Sequence, residues 1–244
     1  MFTLFKKEIR AFLSSLIGYI AICVFLLLVG LFLWILPNTG YNILENGYSG
    51  LDSLFSLAPW VFLFLIPAIT MRSFADEKKA GTIEFLLTKP LTDLQIILAK
   101  YFASVTLVLF SLLPTLIYYY TIYKLGNPVG NIDSGGTWGS YIGLFFLAAG
   151  FTAIGTFASA LSDNQIIAFI LAVFLCFFGY IGFEYISMLE LFGKKADLIL
   201  SIGINDHYMS MSRGVIDTRD VVYYLSLIGI FILMTKTTLE SRKW

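Results

Sequence analysis

An all-α, polytopic membrane protein with six transmembrane helices is the fold that this sequence predicts, and three observations predict it. Hydrophobic residues make up 58% of the 244 and charged residues only 13%. The mean hydropathy of +0.84 lies outside the usual range of a soluble domain of this length. Six stretches run without a charged side chain, most of them for about the 20 residues that a helix needs to cross the hydrocarbon core. The chain reads as a single transmembrane domain over residues 1–244, with three appendages at 1–15, 72–100 and 187–220.

The first appendage is a helix of its own. Phe2, Phe5, Ile9, Phe12 and Leu13 fall on one face at 100° per residue, and Lys6, Lys7, Arg10 and Ser14 fall on the other, the pattern of a helix lying in the membrane surface. A basic flank that merely sets topology is the alternative. The N-terminus does not read as a cleavable signal, because its apolar run is too long and no small-residue cleavage site follows.

The six spans are Ala11 to Leu44, Ser53 to Met71, Tyr101 to Tyr123, Ser134 to Ser162, Asn164 to Phe183 and Val221 to Thr235. Within the first, Leu16 to Leu36 holds fifteen Leu, Ile, Val or Phe residues, worth about −5 to −9 kcal/mol on an insertion scale. The last is short, but a snorkelling Lys236 lets it run on to Leu239. With the N-terminus inside, eleven of the 16 Lys and Arg residues face the cytoplasm: Lys6, Lys7, Arg10, Arg72, Lys78, Lys79, Lys89, Lys100, Lys236, Arg242 and Lys243. The other five are Lys124, Lys194, Lys195, Arg213 and Arg219, four of them in the long loop before the last span, where charge counts for less. Both termini are therefore expected in the cytoplasm.

Pro59 and Pro67 lie in the second span and Pro114 in the third. Each removes a backbone donor, so these are the candidate helix hinges, unless they are simply tolerated as prolines often are in membrane helices. The fourth span carries Ala148, Thr152, Thr156 and Ala160 every four residues, with Gly155 and Ser159 beside them. Small residues at this spacing let two helices approach closely, within one subunit or between two.

Between the second and third spans lies a polar island, Arg72 to Lys100. Ile83, Leu86 and Leu87 recur at i, i+3 and i+4, with Glu77, Lys78, Lys79 and Glu84 mostly elsewhere on the wheel, which predicts a short amphipathic helix. Pro90 stops it, and Thr92 with Gln95 forms a capping box that starts a new helix running into the third span. Gly81 allows another backbone to come close and weakens the helix around it. The alternative is an ordinary solvated loop, which leaves the paired leucines before Pro90 unexplained.

Several functions are excluded. A formal net charge of zero offers no general attraction to nucleic acid. Cys23 and Cys176 lie in apolar runs and read as small hydrophobes, with no disulfide or zinc framework. No Gly-x-x-x-x-Gly-Lys loop, His-Glu-x-x-His pair or Gly-x-Ser-x-Gly turn occurs, so no catalytic residue is assigned and the chain is not expected to hydrolyse ATP. The spans hold no ionisable group near the bilayer centre, and Glu184 reads as an interfacial carboxylate at the outer end of the fifth. His207, Met209 and Met211 are soft-metal donors by type, although interfacial packing accounts for them better and no metal site is assigned.

The segment Glu77-Lys-Lys-Ala-Gly-Thr-Ile-Glu-Phe-Leu-Leu-Thr-Lys-Pro-Leu-Thr92, followed by Ile-Ile-Leu-Ala-Lys100, resembles the cytoplasmic segment of type-2 ABC exporter permeases, and the overall topology matches theirs. In detail the likeness is to permeases associated with gliding motility. The resemblance implies that the island is a coupling helix docking on a separate ATPase, with Glu77, Gly81, Thr82, Ile83, Glu84, Leu86, Leu87 and Pro90 at the contact. It implies ATP and magnesium in that ATPase and no cofactor in this chain. It also implies a second permease copy or related subunit, a bacterial inner membrane and its lipid, and leaves room for an auxiliary subunit. The external loop, about Ser187 to Asp220, contains the apolar run Leu198 to Ile204. There the family has a re-entrant hairpin that serves as an outer gate, which places Leu198, Ile202 and Gly203 in that role. A membrane scaffold for a motility or assembly complex that transports nothing, and a stand-alone channel or carrier, remain as rival classes.

Overall fold

In the computed structural model, residues 1–82, 91–188 and 196–241 are described, apart from the side chain of Ile17, and all regular structure among them is helical. Helix α1 (Phe2–Leu13) precedes α2 (Leu16–Trp34), and the two are bent by 67°. Then come α3 (Asp52–Thr70), α4 (Arg72–Lys79), α5 (Asp93–Leu112), α6 (Leu116–Leu125), α7 (Ser134–Leu161), α8 (Gln165–Phe177) and α9 (Phe183–Ser187). Two short helices, α10 (Ala196–Leu200) and α11 (Ile204–Met211), lead to α12 (Thr218–Glu240).

Among the described residues, five helical stretches are long and apolar enough to cross a membrane: 52–79, 93–125, 134–161, 165–187 and 218–240. The bent pair α1 and α2 makes a sixth if it is counted as one span. Outward faces of α8 (Ile166, Ile170, Phe174) and α12 (Val222, Leu225, Leu233) are exposed and apolar, as hydrocarbon contact requires.

Helix α7 is the hub, touching α3, α4, α5, α8, α11 and α12. Its small residues explain why. Ala148, Thr152, Thr156, Ser159 and Ala160 are all buried inside this chain, and a Cβ on Gly155 would stand 2.2 Å from Thr70 Oγ1. The small-residue row therefore serves packing within the subunit.

Around α7 the large apolar side chains Phe62, Leu63 and Ile66 of α3 and Phe25, Val29 and Leu33 of α2 join one core with Phe151. A second cluster at the other end of the bundle brings Leu4 of α1 together with Phe74, Ile96, Ile97 and Leu239. So α1 is not only a surface helix: Phe2 is exposed, but Leu4 is buried against protein.

The prolines behave differently from one another. Pro114 sits in a one-turn 3-10 segment, Leu113–Thr115, that separates α5 from α6. Pro59 and Pro67 lie inside α3, whose helical course continues through both. A proline at 59 cannot donate to the carbonyl of Phe55 four residues back. The hydroxyl of Tyr208 on α11 donates to that carbonyl instead, at 2.6 Å.

Candidate functional site

The site expected from the sequence begins where the second span should end. It does not end at Met71; α4 carries the helix on to Lys79, giving one 28-residue stretch from Asp52 that is about 42 Å long at 1.5 Å per residue. Arg72, Asp76 and Glu77 thus project from an extension of the span.

What stops α4 is Gly81. Its φ is +66°, its N–H donates to the carbonyl of Lys78 at 3.1 Å, and the N–H of Thr82 donates to the carbonyl of Glu77 at 2.9 Å. These two bonds define a Schellman cap, which needs a residue without a Cβ penalty at its left-handed position. Among the described residues nothing lies within 4 Å of a Cβ built on Gly81, so within them the glycine serves to end a helix. Ile83, Glu84, Leu86, Leu87 and Pro90 lie outside the described residues. Beyond Leu91, Thr92 caps α5 through the expected box: its hydroxyl accepts from Gln95 N–H, and the Gln95 side chain accepts from Thr92 N–H.

Both arms of this elbow meet at Lys100. That side chain is 1% exposed, and its ammonium has three oxygen neighbours: Glu8 Oε1 at 3.0 Å, Glu77 Oε2 at 3.0 Å and the carbonyl of Ser73 at 2.7 Å. Two of these contacts are hydrogen bonds, to Glu8 and Ser73, and the third, to Glu77 Oε2, is an ion pair by distance alone. The ring of Phe74 lies 5.2 Å below the charge, and Lys7 closes the cluster through Glu77 Oε1 at 3.3 Å. Two cations and two carboxylates from α1, α4 and α5 therefore neutralise one another in a largely buried place, the condition under which buried charge is tolerated. Glu77, expected to present its charge to a partner, is turned inward by Lys100.

A third support comes from α7. Ser159 Oγ accepts from the N–H groups of Phe74 and Ala75, at 2.9 and 3.2 Å, and donates to the carbonyl of Met71 at 2.9 Å. It caps α4 from another helix, since orphan N–H groups at a buried helix start require a partner. Lys78 Nζ donates to the carbonyl of Ala160, and Gln165 Nε2 donates to Asp76 Oδ1. Glu8 and Ser73 were not singled out from the sequence, and Ser159 was singled out only as a small packing residue. The one available signal was Lys100 itself, a lysine between Ala99 and Tyr101 on the buried face of α5.

At the opposite end, the expected gate residues separate. Gly203 is buried, whereas Leu198 and Ile202 are exposed. A Cβ on Gly203 would lie 3.1 Å from the carbonyl oxygen of Leu200, so the glycine permits the turn between α10 and α11. The His207 ring stacks on Tyr223, with centroids 3.8 Å apart. Its Nε2 bonds to the carbonyl of Ser201 at 2.9 Å, and its Nδ1 lies 2.7 Å from Asp220 Oδ1. With both nitrogens engaged and Met211 buried in the core, these residues pack the loop onto α12.

Residues 38–238 match a family described as ABC-2 family transporter protein. No curated protein matches the chain.

Proposed function

The chain belongs to the ABC-2 transporter family and is a multi-pass transmembrane subunit of an ABC transporter; from that premise we propose that it is the permease of an exporter driven by an ATPase docking on residues 76–90. The observation that carries this reading is the continuity of α3 and α4. One helical stretch runs from Asp52 to a capped end at Gly81, inside the docking segment. A push on that segment is transmitted along a rod fixed at its inner end to α1 and α5 through Lys100 and to α7 through Ser159.

In this reading Ile83, Leu86 and Leu87 enter a groove on the ATPase, and Glu84 sets register by charge. Glu77 acts from behind, by holding α4 against Lys100. A second permease copy completes the membrane unit, both termini lie in the cytoplasm, and the membrane is the bacterial inner membrane. Association with gliding motility rests on the resemblance of the segment from Glu77 to Lys100 alone.

The test is pull-down of the ATPase with the double variant Leu86→Asp, Leu87→Asp. Membrane insertion should be retained and co-purification reduced at least tenfold, about 1.4 kcal/mol or more of lost binding. Undiminished co-purification rules out docking through this face.

A further inference from the structure

A cavity of about 370 Å³ opens on the outer half of the molecule between α3, α9 and α11, far along the chain from the docking segment. Its walls are aromatic: Tyr41, Trp60, Tyr180 and Tyr185 contribute to the lining. Glu184 stands among them. We propose that this cavity binds an alkylated ammonium group, with the aromatic rings facing the cation and Glu184 supplying the counter-charge.

The first support is the unbalanced carboxylate. Glu184 Oε2 accepts one bond, from Asn205 Nδ2 at 2.9 Å. Among the described residues no Lys, Arg or His lies within ion-pair distance of it; the ion pairs there involve Glu8, Glu77, Asp220 and Glu240. Glu184 is half-buried, so its charge stays accessible to a cation that enters the cavity. A neutral amide donor satisfies one oxygen and leaves the charge.

The second support is how the rings are held. Tyr180 is fixed edge-on by Trp60 at 6.1 Å and by Phe151 at 6.0 Å, and its other neighbour Tyr208 is tied by its hydroxyl to Phe55. The aromatic wall is thus set before a ligand arrives, which removes an ordering cost from binding. Tyr180 lies in a π-helical turn, Phe178–Gly182, a rare geometry that occurs often at functional sites.

Aromatic faces attract cations through the ring quadrupole, most strongly when the cation is weakly hydrated. A bare ammonium would give up too much hydration here, whereas a trimethylammonium presents methyl groups to the rings and charge to Glu184. The same group occurs free in solution and on a lipid head group. This inference does not depend on the transporter reading, because it concerns binding to the chain alone.

The test is calorimetric titration of the full chain in phosphatidylglycerol nanodiscs with choline and with its neutral isostere 3,3-dimethylbutan-1-ol. Choline should bind at least tenfold more tightly than the alcohol, and Glu184→Gln should abolish that preference while leaving the weak binding of the alcohol unchanged. Trp60→Leu, which keeps every charge, should weaken choline about fivefold. Equal affinities of the native chain for the two probes overturn the proposal, as does undiminished choline binding in a folded Glu184→Gln chain. If Glu184→Gln does not fold, the native ratio and Trp60→Leu decide the matter. Repeating the titration in phosphatidylcholine nanodiscs separates the sources: loss of the choline signal there supports a lipid head group, and its persistence supports a free cation.

Discussion

At its Lys79 end the α3–α4 helix is held by charge, and towards its Asp52 end by a hydroxyl group and a carbonyl. At the first, Lys100 joins Glu8 and Glu77 in a cluster that spans three helices. At the second, Tyr208 reaches from α11 to the carbonyl that Pro59 cannot serve, at 2.6 Å. The difference teaches where stability is vulnerable. An ion cluster fails badly when one member is removed, because the survivors are left charged and desolvated. A hydroxyl–carbonyl bond fails more gently, because a neutral group is left behind.

Three substitutions sharpen that contrast. Lys100→Met should have the largest effect, a loss of about 3–5 kcal/mol in thermal or denaturant unfolding in detergent. Adding Glu8→Gln and Glu77→Gln should recover part of the loss by removing the stranded charges; a further loss would show that packing, not charge, holds this end.

Tyr208→Phe should cost about 1–3 kcal/mol by leaving the Phe55 carbonyl unsatisfied. Its cost should shrink in a Pro59→Ala background, where the restored N–H can serve the same carbonyl. Equal costs in the two backgrounds would separate Tyr208 from the proline.

Ser159→Ala is the mildest. Its loss should be about 1 kcal/mol, the usual value for removing a cap. Hydrogen exchange should quicken at Phe74 and Ala75 and stay unchanged in α11. Spread of the effect to α11 would mean that the two ends are not held independently.

Several features were legible because they are local. Thr92 and Gln95 are three residues apart, and the box that they form starts α5 where the sequence placed it. Charge-free length marked the spans, since an apolar helix must be about as long as the membrane is thick. The helix of the second span runs on past Arg72, where its charge-free stretch ends. In the structure that polar turn is still helical, capped by Ser159 from a helix more than 80 residues away. Gly81 also has a role that composition does not reveal: a positive φ that ends α4.

The amino-acid sequence by itself determined that this chain is helical, apolar enough for a bilayer and interrupted by one charged elbow, because hydropathy, helix period and capping are properties of neighbours along the chain. Only the tertiary structure decided that Lys100 is a buried clamp, that Tyr208 repairs the gap at Pro59 across 153 residues, and that Glu184 stands among aromatic rings. Those facts depend on which helices come to lie side by side, and the energy of a buried charge or carbonyl is set by whatever partner the fold brings within about 3 Å.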